Sequence, residues 1–283
     1  MSDVHGVLIV DKERGPTSHD VVARVRKQLK TRHVGHAGTL DPMATGVLVV
    51  AVGEATKLVP YLTADDKAYE ATLLLGIETD TLDAEGREVA RAPVPADLDA
   101  RLEGALASER ARTAQVPPAY SAIKIGGQRA HELARKGEAP ELAPREVAVR
   151  SLSASVVSPS ELRLVAEVAK GYFVRSLARD LAAALGTVGH LTSLRRTRSG
   201  AFTLADATGS LLSVADAATR ALPVSRLTDA GVVAAGHGKR IPASEIADPH
   251  EVPSAWIDAS GRLVAIGEVL PDGTGRVLRG FAR

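Results

Sequence analysis

Residues 46–53 read Gly-Val-Leu-Val-Val-Ala-Val-Gly, six apolar residues between two glycines with no polar side chain among them. A short, β-branched, glycine-bounded run reads as a strand rather than a helix. A run this apolar has to be core, so whatever fold the chain adopts is built around it. Directly ahead of it stands "RHVGHAGTLDP", residues 32–42, with two histidines, two glycines and Asp41 before Pro42. Asp-Pro initiates turns, so composition by itself makes Asp41 a turn residue. A carboxylate set at the mouth of a rigid strand is also a place from which chemistry can be done, and the residues alone leave both readings open.

Further elements follow from pattern. "VHGVLIVDK" (4–12) is a second buried strand. Pro16, Thr17 and Ser18 announce a helix with Ser18 at its N-cap, Asp20 in its first turn, and Val21, Val22, Val25 and Leu29 on one face. "EATKLVPYL" is a short helix or turn, and "KAYEATLLLG" (67–76) is a strand stopped by Gly76. Residues 78–100 have loop composition, "LDARLEGALA" is helical, and 115–138 is an extended Pro-rich piece, a Gly-Gly turn and a short basic helix. "REVAVRSLSASVVS" and "ELRLVAEVAKG" are paired strands, and "VRSLARDLAAALG" is a helix stopped by Gly186. Beyond about residue 220, short strands broken by glycine turns indicate a small β-rich C-terminal domain. The class is mixed α/β (α+β), without the regular alternation of a doubly wound sheet.

Composition excludes whole classes of chemistry. Among 283 residues there is no cysteine, which removes disulfides, thiolate metal sites and cysteine nucleophiles. No apolar stretch reaches membrane-spanning length, and the start lacks the pattern of a signal peptide, so a cytoplasmic protein is expected. The net charge of +1 conceals segregation: residues 21–36 hold five basic residues and no acid, residues 195–198 read Arg-Arg-Thr-Arg, and residues 78–103 hold eight acids against three bases. The basic segments read either as solvated helix faces or as surfaces that meet phosphates.

Single residues are ambiguous. His33 and His36 lie three apart, but no further ligand stands at matching spacing, so no metal is expected. No glycine-rich nucleotide motif and no G-x-S-x-G occurs. Tyr69 can be a strand aromatic, Arg175 a first-turn arginine and Lys12 a strand-end charge.

Five blocks together are far more specific. "GHAGTLDPMATGVLVVAVGEATKL", "VDKERGPTSHDVV", "KAYEATLLLGIETDTLDAEG", "QVPPAYSAIKIGGQRAHELARKGE" and "AKGYFVRSLARDLAAALGTVGHLTSLRRTRSGAF" resemble, in order over about residues 5–205, the motifs of the TruB family of pseudouridine synthases. The tail resembles, weakly, the PUA-type RNA-binding modules that often end these enzymes.

The resemblance implies a catalytic domain over residues 1–220, with a central mixed or antiparallel sheet, followed by a PUA-like module over residues 221–283. It implies isomerisation of uridine to pseudouridine in RNA, in bacteria usually at position 55 in the T loop of tRNA, with no cofactor, no metal and no obligatory protein partner. A monomer is expected. Asp41 matches the family's nucleophile, Arg175 the arginine that keeps it ionised, and Tyr69 the tyrosine that stacks on the target base. Phe173 and Leu194 match positions lining the uracil pocket, and Lys12 lies in the opening motif as a support beside the substrate. His36 matches the histidine that fills the gap left by the extruded base. Lys124, Arg129, Arg195, Arg196, Arg198 and the basic helix are expected to hold phosphates. Two positions depart from the family: Glu13 stands where proline is usual, and Phe173 where tyrosine is more frequent. Three other readings are an RNA-guided relative working inside a ribonucleoprotein, an RNA-binding module with a vestigial site, and a nucleoside hydrolase. The last would need a water-activating base that the sequence does not supply.

Overall fold

The computed structural model describes residues 4–63, 66–138 and 142–281. The chain opens with β1 (Gly6–Lys12), α1 (Ser18–Leu29), β2 (Val34–Ala37), β3 (Thr45–Val52) and β4 (Lys67–Leu75). These strands belong to a nine-stranded sheet ordered Val149–Ser158, Glu161–Val168, β4, Gly189–Ser199, β3, β1, Leu211–Leu212, with β2 and Phe202–Thr203 pairing off this path. Its pairings are antiparallel except where Gly189–Ser199 meets β3, which is parallel, so the sheet is mixed.

From Val47 to Val52, β3 is apolar without interruption because neither of its faces is solvated. Leu48, Val50 and Val52 face α1 and the Val174–Leu185 helix, sharing a core with Val21, Val22, Val25, Leu177 and Leu181. Val47, Val49 and Ala51 face the other way, into a core completed by Phe202, by Ala217 of the Val214–Ala221 helix, and by Ala255, Ile257, Leu263 and Ile266. Those last four residues lie on a second, five-stranded sheet built from Val224–Leu227, Ile246–Ala247, Ser254–Ile257, Leu263–Val269 and Gly275–Gly280. The C-terminal sheet therefore roofs one face of the strand that carries the Asp41 loop.

One edge of β3 is occupied by β1 along its length; the other edge is split. Thr45 and Gly46 pair with Arg195 and Arg196, whereas Val49 to Val52 pair with β2. Residues 38–44 leave the end of β2 and return to the start of β3 across this split. The approach is tight: a Cβ on Gly46 would lie 2.2 Å from the carbonyl oxygen of Arg196, and the residue has φ +101°, so only glycine fits.

Most elements stand where the sequence places them, including the Gly126–Gly127 turn and the left-handed Gly186 cap. Two expectations are corrected. The N-cap of α1 is Thr17, not Ser18: Thr17 is extended and closes a capping box with Asp20, whereas Ser18 is turned inward and buried. The acidic segment is not all loop, since Ile77–Thr79 and Glu88–Arg91 pair as a hairpin; the helix expected in "LDARLEGALA" runs from Leu98 to Arg110.

A core shared by the two sheets predicts that they unfold together. Ile266→Ala, at a position with no solvent exposure, is expected to cost about 2–5 kcal/mol in one cooperative denaturant transition, followed by tryptophan fluorescence and circular dichroism. Two separate transitions, with only the smaller displaced, would contradict the shared core.

Candidate active site

The Asp41 loop has few ladder partners, so its backbone groups must be satisfied by other means. Gly38 and Thr39 give their carbonyls to Arg196 Nη2 and Nη1 at 3.0 and 3.3 Å. Leu40 has both backbone groups on the Ser18 hydroxyl. The Pro42 carbonyl accepts from Lys12 Nζ at 3.2 Å and from the Gly15 N–H at 2.8 Å, and the Ala44 N–H donates to the Asp41 carbonyl.

Arg196 does not hold a phosphate, contrary to its expected role. It is 1% exposed, and its Nε donates at 2.7 Å to the carbonyl of Val47, the residue lying between the two partners of the split edge. All its bonds are internal, and it plugs the split. Lys12 is likewise 1% exposed, with Nζ on the carbonyls of Glu13, Pro16 and Pro42. It supports the loop from beneath rather than touching a substrate. Burial lowers its pKa, and the charges of Asp41 and Glu85 oppose that fall. Arg195 is paired through two N–H groups with Asp11, at 3.1 and 2.7 Å.

Asp41 and Arg175, 134 residues apart, meet as a two-point ion pair. Arg175 Nε lies 2.8 Å from Oδ2 and Nη2 lies 3.1 Å from Oδ1. The Arg175 side chain is 7% exposed and that of Asp41 34% exposed, so the carboxylate keeps an open side. Arg175 also donates to the carbonyls of Thr81 and Tyr120, each at 2.9 Å, and its Nε lies 3.7 Å from Asp83 Oδ2.

That open side faces a cleft of about 660 Å³ lined by Asp41, Tyr69, Phe173, Leu194, Lys124 and Arg129, among others. Tyr69 is almost fully buried. Burial pushes its phenol pKa up, an effect partly offset by the charge of Arg196 and a hydrogen bond to it. Phe173 stands at the start of the Val174–Leu185 helix, and its N–H is held by the side chain of buried Gln115 at 2.9 Å. His36 lies beside the cleft, edge-on to His19 with ring centroids 5.3 Å apart, and His19 lines the cleft itself. Burial first, then His19 and Arg196, lower the His36 pKa, which keeps the ring neutral at pH 7.

Several contributors escape a reading of the residues. Asp83 is 4% exposed, its carboxylate accepting from the Thr81 hydroxyl and the Glu85 N–H. Its "TDTLD" context is indistinguishable from a solvated acidic loop until Arg175 is placed beside it. Gln115, Tyr120 and Ser18 have no distinguishing signal beyond the motifs that contain them.

Two family descriptions together match residues 26–222. Residues 26–174 match the description "TruB family pseudouridylate synthase (N terminal domain)", and residues 175–222 match "tRNA pseudouridylate synthase B C-terminal domain". The chain belongs to the TruB family of pseudouridine synthases. It is 44% identical over 279 residues to the tRNA pseudouridine synthase B of Thermobifida fusca (strain YX), covering 93% of this chain and 94% of that one. It is 53% identical over 203 residues to the Nocardia farcinica (strain IFM 10152) enzyme of the same name, covering 70% and 66%. Among solved structures, a Cbf5–Nop10–Gar1 complex contains a chain of similar fold: TM-score 0.75, 25% identity, 98% of this chain and 84% of that chain. The fold also matches one in an H/ACA ribonucleoprotein bound to a substrate RNA containing 2′-deoxyuridine, with TM-score 0.74 and 23% identity, over 98% of this chain and 85% of that chain.

The contrast between neighbouring arginines is testable. Arg196→Met strands three carbonyls and is expected to cost on the order of 3–5 kcal/mol, whereas Arg195→Ala, which removes a partly exposed pair, is expected to cost at most about 1 kcal/mol. Urea denaturation of both variants measures the difference, and equal costs would contradict the plug.

Proposed function

We propose that this TruB-family isomerase converts uridine 55 in the T loop of tRNA to pseudouridine, with Asp41 as its nucleophile. The observation that carries the reading is the two-point Asp41–Arg175 pair, with one carboxylate side open to a cleft also lined by Tyr69 and Leu194. The glycosidic bond from N1 to the ribose breaks, the uracil turns, and C5 bonds to the same ribose carbon. C5 gives up a proton and N1 gains one, so no redox step and no added group is needed.

Each residue has a distinct part in this scheme. Arg175 holds both oxygens of the Asp41 carboxylate and so fixes its orientation toward the cleft. Dividing the rearrangement through a covalent intermediate makes one hard step into two easier ones. Tyr69 presents a π-face to the base, and its raised pKa keeps the phenol protonated, as a donor. Phe173 and Leu194 wall the uracil pocket. Phe173 offers stacking without the hydroxyl that a tyrosine would add. The target base must leave the RNA stack to reach the cleft, and neutral His36 fills the gap it leaves. Lys124 and Arg129, which line the cleft, and the exposed basic face of α1 hold phosphates. The C-terminal sheet serves as a PUA-type RNA-binding module. The enzyme acts in the cytoplasm as a monomer on the T-arm itself, without guide RNA or protein partner.

Incubating the purified chain with a T-arm stem-loop and mapping pseudouridine tests this. The wild-type chain is expected to convert the T-loop uridine unaided. Asp41→Asn is expected to bind the RNA and form no pseudouridine. Full activity in Asp41→Asn would end the nucleophile assignment, and a requirement for guide RNA would place the chain with the RNA-guided relatives.

A further inference from the structure

Thr17 and Ser18 offer two adjacent hydroxyls at the start of α1, and only one is needed to cap it. Thr17 is the one used, since it accepts from the Asp20 N–H and pairs with the Asp20 carboxylate. The Ser18 hydroxyl is thereby released from the helix. It is 1% exposed and points across the 22 residues that separate it from Leu40. It accepts from the Leu40 N–H at 2.8 Å and donates to the Leu40 carbonyl at 3.1 Å. Leu40 is itself buried and lies in neither β2 nor β3, so no sheet ladder serves its two polar groups.

We propose that Ser18 is a positioning residue for Asp41, fixing the peptide immediately before the nucleophile so that its carboxylate meets Arg175 and the substrate in one geometry. The proposal rests on the nucleophile reading given above. The residue after Asp41 is held from the other side, where the Pro42 carbonyl takes the Lys12 ammonium and the Gly15 N–H. Asp41 is thus clamped at both neighbours, and the two clamps act differently. The Pro42 carbonyl has two donors, so loss of one leaves the other. The Leu40 groups have a single small hydroxyl. Removing it leaves a buried N–H and a buried carbonyl unpaired, and the chain relieves that by shifting towards water. A shift here is transmitted directly to the carboxylate, and displacement of a reacting group by about 1 Å can cost on the order of 100-fold in rate. Ser18 stands in the wall of the cleft, but it is 1% exposed and both bonds of its hydroxyl go to Leu40, so its loss is expected to act on the chemical step and not on binding.

The test measures single-turnover pseudouridine formation in a T-arm stem-loop alongside equilibrium binding of the same RNA. Ser18→Ala is expected to lose about 10- to 100-fold in rate with RNA affinity unchanged. Ser18→Thr and Ser18→Val form a second, isosteric pair that carries the same steric burden and differs only in the hydroxyl. Threonine is expected to recover the rate that valine loses. Equal rates for threonine and valine, a wild-type rate for alanine, or a loss of rate matched by a loss of RNA affinity would each overturn the proposal. Asp41→Asn in the same assay separates the two claims. If it is inactive while Ser18→Ala is fully active, only the positioning role fails; if it is active, the nucleophile reading fails.

Discussion

The ion pair between Asp41 and Arg175 is the contact at which the separate parts of the catalytic sheet are tied together. One guanidinium engages both oxygens of the carboxylate and at the same time holds the carbonyls of Thr81 and Tyr120. Four stretches of chain converge on it: the loop before β3, the segment after Ile77–Thr79, the Pro-rich segment, and the first turn of the Val174–Leu185 helix. An arginine suits this position because its planar fork has enough N–H groups to serve all of them and stays charged. A lysine has neither the shape nor the number of donors in one plane. Asp83, 3.7 Å away, adds a second carboxylate, so the guanidinium is held from several directions.

A pair of this kind is useful only if the carboxylate is held still. β3 is closed on both faces and along one edge, and its second edge is shared between β2 and Gly189–Ser199. The loop crossing that split is fastened through its backbone by Arg196, Ser18 and Lys12, all three nearly inaccessible to solvent. Buried donors bonded to buried carbonyls resist displacement because each broken bond leaves an unpaired group in an apolar surrounding. The apolar strand therefore serves as an anchor for the acid at its mouth. The C-terminal sheet contributes by covering the strand's far face, which links it to the site without touching the cleft.

Much of this is legible in the sequence. The strand over residues 46–53, the apolar face of α1, the paired strands 149–158 and 161–168, and the Gly186 stop all follow from periodicity and turn chemistry. Asp41, Tyr69 and Arg175 follow from resemblance, since no local pattern joins residues so far apart. What the sequence conceals has a common cause. Arg195, Arg196 and Arg198 look alike in sequence. A register shift between Arg196 and Arg198 interrupts the alternation of faces, so a period of two cannot say which arginine turns inward. Ser18 and Thr17 are likewise interchangeable as caps on propensity, and the choice is made by the inward partner, Leu40. Asp83 reads as a loop acid because its burial depends on an arginine more than ninety residues away.

On the nucleophile reading, the two-point geometry of Arg175, and not merely its positive charge, makes Asp41 competent. Arg175→Lys preserves the charge and removes the fork. The decisive measurement is the single-turnover rate of pseudouridine formation in a T-arm stem-loop by this variant, with RNA affinity measured in parallel. The expected result is unchanged affinity with the rate reduced on the order of 100-fold or more. A rate close to that of the wild-type chain, at equal affinity, would contradict it.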